Sequence, residues 1–501
     1  MVNANVSDPV FDWVRHHALR SPHRLALVDP SETTALDYAT LDDAVDGWVR
    51  RLGSLGASQG DVVAILAQNS IGYLQVMLAC GRLGAIFLPL NWRLTPSELA
   101  YILSDARPRV LLHDDEHAGT AAGLSVPRAP MDLPDPGGPT PGPVKLRLTD
   151  VAAIMYTSGT TGRPKGAQIT HGMTFWHAVN ISPPARITPD AVHLALLPFF
   201  HTGGLNLYVN PVLHAGGAVV LTRKFEADEA FDLLTDDRLG ITHVFGVPTV
   251  YESLASHPRF ASSDLSRLRM AGVGGAACSV PLAETWRAKG VVLAHGWGMT
   301  EGGPSGTVAD IDDPDTPPGS VGKPLLHIGI RIVRPDGNDV ASDEVGELWI
   351  KGPSVTPGYW RNPQATAAAF SDGWFRTGDA ARRDGNGYYF IVGRWKDMYI
   401  SGGENVYPAE VEARIVELDA VATVAVVGVP DGRWGEAGIA FVVPRPGAAL
   451  TPEDVLAHCA QHLAKFKIPR QVVLVADLPT TGSGKIQKRI LAERFADPKG
   501  P

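Results

Sequence analysis

Cysteine is scarce in this chain: Cys80, Cys278 and Cys459 stand far apart and show no metal-ligand spacing. That excludes a disulfide framework and fits buried thiols in a reducing compartment, so a cytoplasmic location is expected. Positive charge is also in short supply. Lys and Arg number 44 against 53 Asp and Glu, giving a formal net charge of −9 and a pI near 6.0. This balance argues against a dedicated nucleic-acid binder. Long hydrophobic runs are missing too. The most apolar stretch, Val76 to Leu90, is interrupted by Arg82 and is shorter than a bilayer requires, so no integral membrane segment is expected. The first residues, Met-Val-Asn-Ala-Asn-Val-Ser-Asp, lack a basic segment leading into an apolar one, so no signal peptide is expected. No internal repeat or coiled-coil heptad is visible.

What is present is an ordinary globular composition, 45% apolar and 19% charged, in 501 residues. That length calls for two or more domains. Phe11 to Ala18 and Leu41 to Leu55 read as helices, and Val62–Leu66 and Val110–Leu112 as strands, an alternation that implies helices packed on a largely parallel sheet. The Pro- and Gly-rich stretch Ser125 to Pro143 reads as a surface connection. A second α/β series follows, with strands expected at Val192–Leu197, Ala218–Leu221, His243–Val247 and Val291–Ala294. From about Gly319 the texture becomes β-rich, with strands Ile328–Val333 and Gly346–Lys351 joined through the turn signal Pro335-Asp-Gly337. Beyond Gly393 it turns α/β again: helix Pro408–Glu417, strands Val421–Val427 and Ile439–Pro444, and helix Pro452–His462. A domain boundary is expected near Arg394–Asp397.

Five motifs carry chemistry. Tyr156-Thr-Ser-Gly-Thr-Thr-Gly-Arg-Pro-Lys-Gly166 follows the apolar run Val151–Met155 and gathers three glycines, four hydroxyls from Thr157 to Thr161, and Lys165. Glycine lets consecutive amides converge on an anion, hydroxyls add donors and the lysine supplies charge, which is a phosphate-binding combination. It is not the ordinary P-loop, which needs Ser or Thr directly after the lysine. Gly296-Trp-Gly-Met-Thr-Glu-Gly302 places Glu301 just past a strand end, where a carboxylate can hold Mg²⁺, with Thr300 beside it and Trp297 able to stack on a base. Trp374-Phe-Arg-Thr-Gly-Asp379 offers an Asp that can accept both hydroxyls of a ribose. Gly393-Arg-Trp-Lys-Asp-Met-Tyr-Ile-Ser-Gly-Gly-Glu-Asn405 lies at the expected boundary; Arg394 can bind phosphate, and Gly402-Gly403 permit close approach of a thin ligand. Leu478-Pro-Thr-Thr-Gly-Ser-Gly-Lys-Ile-Gln-Lys-Arg489 puts Lys485 on a glycine-flanked loop.

In this order and at these separations the five motifs resemble the adenylate-forming superfamily of acyl-CoA synthetases, adenylation domains and luciferase-like ligases. The likeness runs through nearly the whole chain. It implies an α/β protein with a large N-terminal domain, residues 1–395, that includes a β-rich subdomain from about 319. A small mobile α+β C-terminal domain, 396–501, would be hinged at Lys396, with the active site between the two. The implied reaction has two halves. A carboxylate attacks the α-phosphate of ATP·Mg²⁺ to give an acyl-adenylate and pyrophosphate; a thiol, coenzyme A, then displaces AMP.

Carried over residue by residue, the resemblance gives Thr157, Ser158, Gly159, Thr160, Thr161, Gly162 and Lys165 to the β- and γ-phosphates. Thr300 falls at the α-phosphate and Glu301 at the metal. Gly274, Gly275 and Ala276 line the adenine and the acyl group, and Gly296, Trp297, Gly298 and Met299 bind ATP or AMP; Trp297, able to stack on adenine, stands where the family usually has tyrosine. Asp379 and Arg394 take the ribose or a phosphate oxygen, and Lys485 bridges the attacking carboxylate and the α-phosphate. Arg93, Lys224, Gly402, Gly403, Trp434 and Phe466 match positions that contact coenzyme A in some members.

The acyl site would be lined by Trp176, His177, His201, Phe245, Gly246, Gly275 and Gly296, with His201 as its gate. Between Leu194 and Asn210 there is no Asp or Glu to pair with an α-ammonium, which disfavours an amino-acid substrate. Aromatics beside glycines suit an aryl, medium-chain or polycyclic carboxylate. An acyl-AMP ligase serving a carrier-protein thiol or a separate enzyme needs the same adenylation residues and stays open, as does a homodimer. A silent nucleotide-binding scaffold is disfavoured, because a scaffold has no chemical use for Lys485.

Overall fold

The computed structural model describes residues 9–142, 144–157, 164–313, 315–401, 404–432, 434–480 and 486–496, with the backbone alone at Lys396, Asn405 and Ala496. The chain folds into two compact units. The first is Met1–Ile330 with Ile350–Phe375, and the second is Arg331–Trp349 with Arg376–Pro501. It is a large α/β N-terminal portion followed by a β-rich segment and a small α+β C-terminal portion.

Two sheets build the first unit. In one, six strands run in the order Arg128–Pro130, Val110–His113, Val62–Leu66, Ile86–Pro89, Val151–Thr157 and Lys165–Thr170. All neighbours are parallel except the last pair. Val62–Leu66 is buried at every position, as a central parallel strand covered on both faces must be. The stretch expected to be a mere connection after Ser125 supplies the edge strand Arg128–Pro130. The run Val76–Leu90 is split between the helix Ile71–Leu83 and the strand Ile86–Pro89. The hydroxyl of Ser70 caps that helix by accepting from the Tyr73 amide at 3.1 Å, and Gly84 ends it with φ of +72°.

The other sheet has nine strands, in the order Lys323–Pro324, Ser305–Val308, Leu293–Gly298, Met270–Val273, His243–Gly246, Val192–Ala195, Ala218–Leu221, Leu25–Asp29 and Thr34–Asp37. Its interior is parallel and both edges are antiparallel. The largest buried cluster spans both sheets. Within it the Tyr73 ring lies 5.6 Å from Phe87 on the six-stranded sheet and 5.6 Å from Phe199, just past a strand of the other.

The β-rich stretch divides between the units. Phe370–Ser371 pairs back on Trp374 and Phe375 in the first, while 379–383 pairs with Tyr389–Arg394 in the second. The second unit also holds a sheet in which Glu404–Val406, Tyr399–Ser401, Gly435–Pro444 and Val421–Asp431 follow one another, with Gln471–Leu474 parallel to Gly435–Pro444. The helices Pro408–Ile415 and Pro452–His462 bury Val411, Ile415, Val455 and Cys459 in its core.

Candidate active site

The strand Val151–Thr157 ends at the phosphate motif, and the chain returns from it as the strand Lys165–Thr170. Thr157 stands opposite Lys165 and Tyr156 opposite Gly166 in an antiparallel pair. The described residues on either side of 158–163 are therefore paired antiparallel strands. Gly166 is obligatory there: a Cβ would fall 2.6 Å from Ile154 Cγ2 and 3.2 Å from the Tyr156 ring. Tyr156 in turn donates to Asp105 Oδ2 at 2.5 Å, and burial with this bond pushes its hydroxyl pKa far up. Ser158, Gly159, Thr160, Thr161 and Gly162 lie outside the described residues.

Glu301 sits in the single 3₁₀ turn Thr300–Gly302 beyond the strand Leu293–Gly298 and is only 5% exposed. Its Oε1 accepts from the Thr157 hydroxyl at 3.2 Å and from the Tyr359 hydroxyl at 3.0 Å. The phosphate and metal motifs, 144 residues apart in sequence, thus touch. A third segment laces them together. The amide of Thr356 donates to the Glu301 carbonyl at 2.8 Å, and the Ser354 hydroxyl donates to the Gly302 carbonyl at 3.2 Å. The Thr356 hydroxyl donates to the Gln168 carbonyl at 2.7 Å, and the Trp360 amide to the Gly166 carbonyl at 2.7 Å. Gly303 allows this approach, since a Cβ there, at φ +74°, would fall 2.0 Å from the Ser354 carbonyl oxygen, and Gly298 allows the tight turn around Thr300–Gly302, where a Cβ would fall 2.0 Å from the Pro304 carbonyl oxygen. Sequence reasoning missed Ser354, Thr356 and Tyr359; the only local signal was the run Gly-Tyr-Trp at 358–360, ahead of the Asn362-Pro363 helix start.

Trp297 is 8% exposed, and its ring lies over Gly306 on the neighbouring strand, where a Cβ would come within 2.5 Å of it. A Cβ on Gly274 would face the Gly296 carbonyl oxygen at 3.2 Å, and Gly275 is left-handed at φ +81°. Phe245, half-buried on the strand His243–Gly246, is braced by glycine backbone: a Cβ would meet its ring at 3.4 Å from Gly203, 3.0 Å from Gly272 and 3.4 Å from Gly274. Tyr208 completes the wall with its ring centroid 5.8 Å from that of Phe245.

The other expected acyl-site residues are placed differently from one another. His177 is fully buried, its Nε2 3.1 Å from the Leu207 carbonyl, and burial lowers its pKa to about 4, so it is a neutral strut between helix and loop. Trp176, its neighbour, is half-buried against the His327 ring at 5.0 Å. His201 opens the short helix Thr202–Leu205 with its ring 4.6 Å from Phe200. Arg93 lies over the same Phe200 ring at 5.8 Å and over Trp92 at 4.7 Å. The expected acyl gate and an expected coenzyme A contact therefore share one aromatic ring. Lys224 is exposed and paired with Glu226 at 2.9 Å.

In the second unit, antiparallel register sets Asp379 directly opposite Arg394. Arg394 Nε donates to Asp379 Oδ1 at 2.9 Å, and Asp379 is 5% exposed. The Asp379 amide donates to the Thr377 hydroxyl oxygen at 3.0 Å, and that hydroxyl donates to the Leu348 carbonyl at 2.6 Å, so the backbone that carries the carboxylate is fixed. Trp434 is half-buried, its amide donating to Asp431 Oδ1 at 2.9 Å. Phe466 packs at the edge of the core between Lys465 and Lys467. Gly402, Gly403, Lys485 and the Lys396 side chain lie outside the described residues. Among the described residues Glu417, His458 and His462 also converge, but His458 Nε2 already reaches the Arg414 carbonyl at 2.8 Å and Glu417 already pairs with Arg414 at 2.7 Å.

Residues 14–360 match the family model described as AMP-binding enzyme, and residues 410–485 match the AMP-binding enzyme C-terminal domain. The chain belongs to the AMP-binding enzyme family. It is 42% identical to a feruloyl-CoA synthase of an Amycolatopsis species over 96% of this chain and 98% of that one. It is 38% identical to an indoleacetate–CoA ligase of Aromatoleum aromaticum over 95% and 96%. Among solved structures it resembles ATP-bound MatB of Rhodopseudomonas palustris, with a TM-score of 0.89 and 34% identity over 97% of this chain and 99% of that one.

This AMP-binding enzyme is an acid–CoA ligase: it converts a carboxylic acid to an acyl-adenylate and then to a coenzyme A thioester, using ATP, Mg²⁺ and coenzyme A. No helix among the described residues is long and apolar enough to cross a membrane. The residues around Glu301 fit the metal. Its carboxylate and the hydroxyls of Thr157 and Tyr359 form a set of hard oxygen donors with no sulfur or imidazole among them, which suits Mg²⁺.

Proposed function

We propose that this AMP-binding enzyme activates an aryl carboxylic acid, of the arylacrylic or arylacetic kind, in the cytoplasm. The observation that carries the choice is the Phe245 ring, half-buried and braced by backbone at Gly203, Gly272 and Gly274, with Tyr208 beside it. A rigid aromatic wall favours offset or edge-on contact with a planar ring over contact with a flexible chain. The relatives named for ferulate and indoleacetate support the same class. The cytoplasmic placement is supported by three free cysteines, two of them buried.

Within that reading, Thr157 and Lys165 hold the distal phosphates together with the hydroxyls at 158–161. Glu301 holds Mg²⁺, which would neutralise charge on the triphosphate and the departing pyrophosphate. Thr300 donates to the α-phosphate, and the Asp379–Arg394 pair takes the ribose. Lys485 stabilises the charge that builds as the carboxylate attacks phosphorus; without it no lysine bridges the two reacting anions. The thiolate of coenzyme A then adds to the acyl carbonyl carbon, and AMP leaves with the carboxyl oxygen that formed the mixed anhydride. A carboxylate gives up oxide poorly, and this exchange of leaving group is what the nucleotide provides.

The test is competition. Mixtures of cinnamates, arylacetates and medium-chain fatty acids are incubated with Mg·ATP and coenzyme A, and acyl-CoA and AMP are followed by mass spectrometry. Aryl-CoA with equimolar AMP is expected. Faster formation of the medium-chain thioester would overturn the choice of substrate class.

A further inference from the structure

We propose that Tyr359 is a positioning residue that aligns both the metal-binding carboxylate and the phosphate-binding ammonium of the adenylation site. The inference rests on the reading that Glu301 holds Mg²⁺ and Lys165 the distal phosphates. Its hydroxyl donates to Glu301 Oε1 at 3.0 Å, and the Lys165 ammonium lies over its ring, 5.3 Å from the centroid. One side chain therefore contacts two groups of opposite charge that must serve the same triphosphate from different sides.

The backbone of Tyr359 is pinned so that this bridge has little freedom. Its amide donates to the Thr366 hydroxyl oxygen at 3.0 Å, and that hydroxyl donates to the Asn362 carbonyl at 2.9 Å, anchoring it to the helix Pro363–Ala369. On the other side it forms an antiparallel bridge with Ala167, flanked by the Gln168 amide on the Gly358 carbonyl at 3.1 Å and the Trp360 amide on the Gly166 carbonyl at 2.7 Å. Gly358, at φ +142°, is required: a Cβ there would fall 2.4 Å from Thr366 Cγ2. A residue fixed on both backbone flanks, with its hydroxyl on a 5%-exposed carboxylate, sets the direction in which that carboxylate presents its oxygens. Thr157 donates to the same Oε1 at 3.2 Å, so the two hydroxyls hold one oxygen between them.

The two halves of the bridge separate by substitution. Tyr359→Phe keeps the ring under Lys165 and removes the hydroxyl; Tyr359→Leu removes both. Three readouts are used on the full-length enzyme: Mn²⁺ binding to the ATP-saturated protein by electron paramagnetic resonance, metal-free ATP binding by calorimetry, and AMP binding by calorimetry. Tyr359→Phe should weaken Mn²⁺ about tenfold, the loss expected for a hydrogen bond to a carboxylate, and leave AMP and metal-free ATP within about twofold. Tyr359→Leu should in addition weaken metal-free ATP about threefold through the lost cation–π contact, with AMP again unchanged. Retained AMP binding shows that each variant is folded.

If Tyr359→Phe binds Mn²⁺ like the parent while Glu301→Gln loses it, the positioning role is overturned and the metal assignment stands. If Glu301→Gln also binds Mn²⁺ normally, the metal assignment itself falls. Weakening of AMP in step with Mn²⁺ would reduce Tyr359 to a packing residue and overturn the proposal.

Discussion

Asp379→Asn should weaken recognition of ribose while leaving the fold nearly intact. The carboxylate is 5% exposed and takes the Arg394 guanidinium at 2.9 Å, so it acts in a low-dielectric setting where a hydrogen bond to charge contributes more than it would in water. Two ribose hydroxyls donating to it, at about 1.5 kcal/mol each, amount to about 3 kcal/mol, or about a hundredfold in affinity. The parent enzyme should therefore bind AMP about a hundredfold more tightly than 2′,3′-dideoxy-AMP. In Asp379→Asn only neutral hydrogen bonds remain, and the ratio should fall to about tenfold or less. Stability should drop by only about 1 kcal/mol, because the Arg394 side chain is 43% exposed and its charge can be hydrated. Arg394→Ala should cost more, about 2 kcal/mol, since it takes the guanidinium from a buried carboxylate. Calorimetric titration of both ligands into parent and variant closes the cycle. Equal discrimination in parent and variant, or a parent that does not distinguish the two nucleotides, would refute the ribose assignment.

Three further outcomes are expected. His177, His193 and His243 are held neutral by burial, with pKa values near 4, 3 and 4 against an unfolded value of 6.5. The unfolded chain therefore binds more protons than the folded one between about pH 6.5 and 4, so stability is full above 6.5 and is lost as the pH falls through that window. Melting temperature measured from pH 7.5 to 5 should decline, and His177→Gln should make the decline shallower; a flat profile would contradict the burial argument. Gly298→Ala should cost about 3 kcal/mol or more, because its Cβ would meet the Pro304 carbonyl oxygen at 2.0 Å, and an unchanged melting temperature would show that the turn can shift at no cost. Lys485→Ala should stop pyrophosphate release from ATP and acid yet still convert a supplied acyl-adenylate to the thioester, and full adenylation by that variant would remove Lys485 from the first half-reaction.

Much of the architecture was legible because it is written in local patterns. Val62–Leu66, Ala218–Leu221 and Gly346–Lys351 are found where unbroken apolar or alternating runs place them. Helix starts shifted where a cap decides: the first helix begins at Trp13, behind Asp12, and the second at Tyr38, behind Asp37. The strand expected at Val291–Ala294 instead runs Leu293–Gly298, since its pairing with Met270–Val273 begins at Leu293 and its far end pairs with Ser305–Val308. The same division holds in the site. Glu301, Asp379 and Arg394 were marked as candidates by the glycines and hydroxyls around them in the sequence. That Asp379 and Arg394 are direct cross-strand partners depends on register, and that Tyr359 reaches Glu301 across 58 residues depends on tertiary lacing; neither leaves a periodic trace in the chain.

The antiparallel strand pair that flanks the phosphate motif has an electrical consequence. In a loop that feeds a helix, the aligned peptide dipoles leave a permanent positive potential facing the anion whether or not a metal is bound. Here the chain returns through the strand Lys165–Thr170, and strand dipoles largely cancel. Lys165, fixed at the start of that strand, is a permanent cation there, whereas a cation that arrives with a nucleotide would be detachable. A pyrophosphate leaving with its metal would therefore face only the chain's own cation on return, and recapture of the product would be weaker than binding of the metal–nucleotide complex.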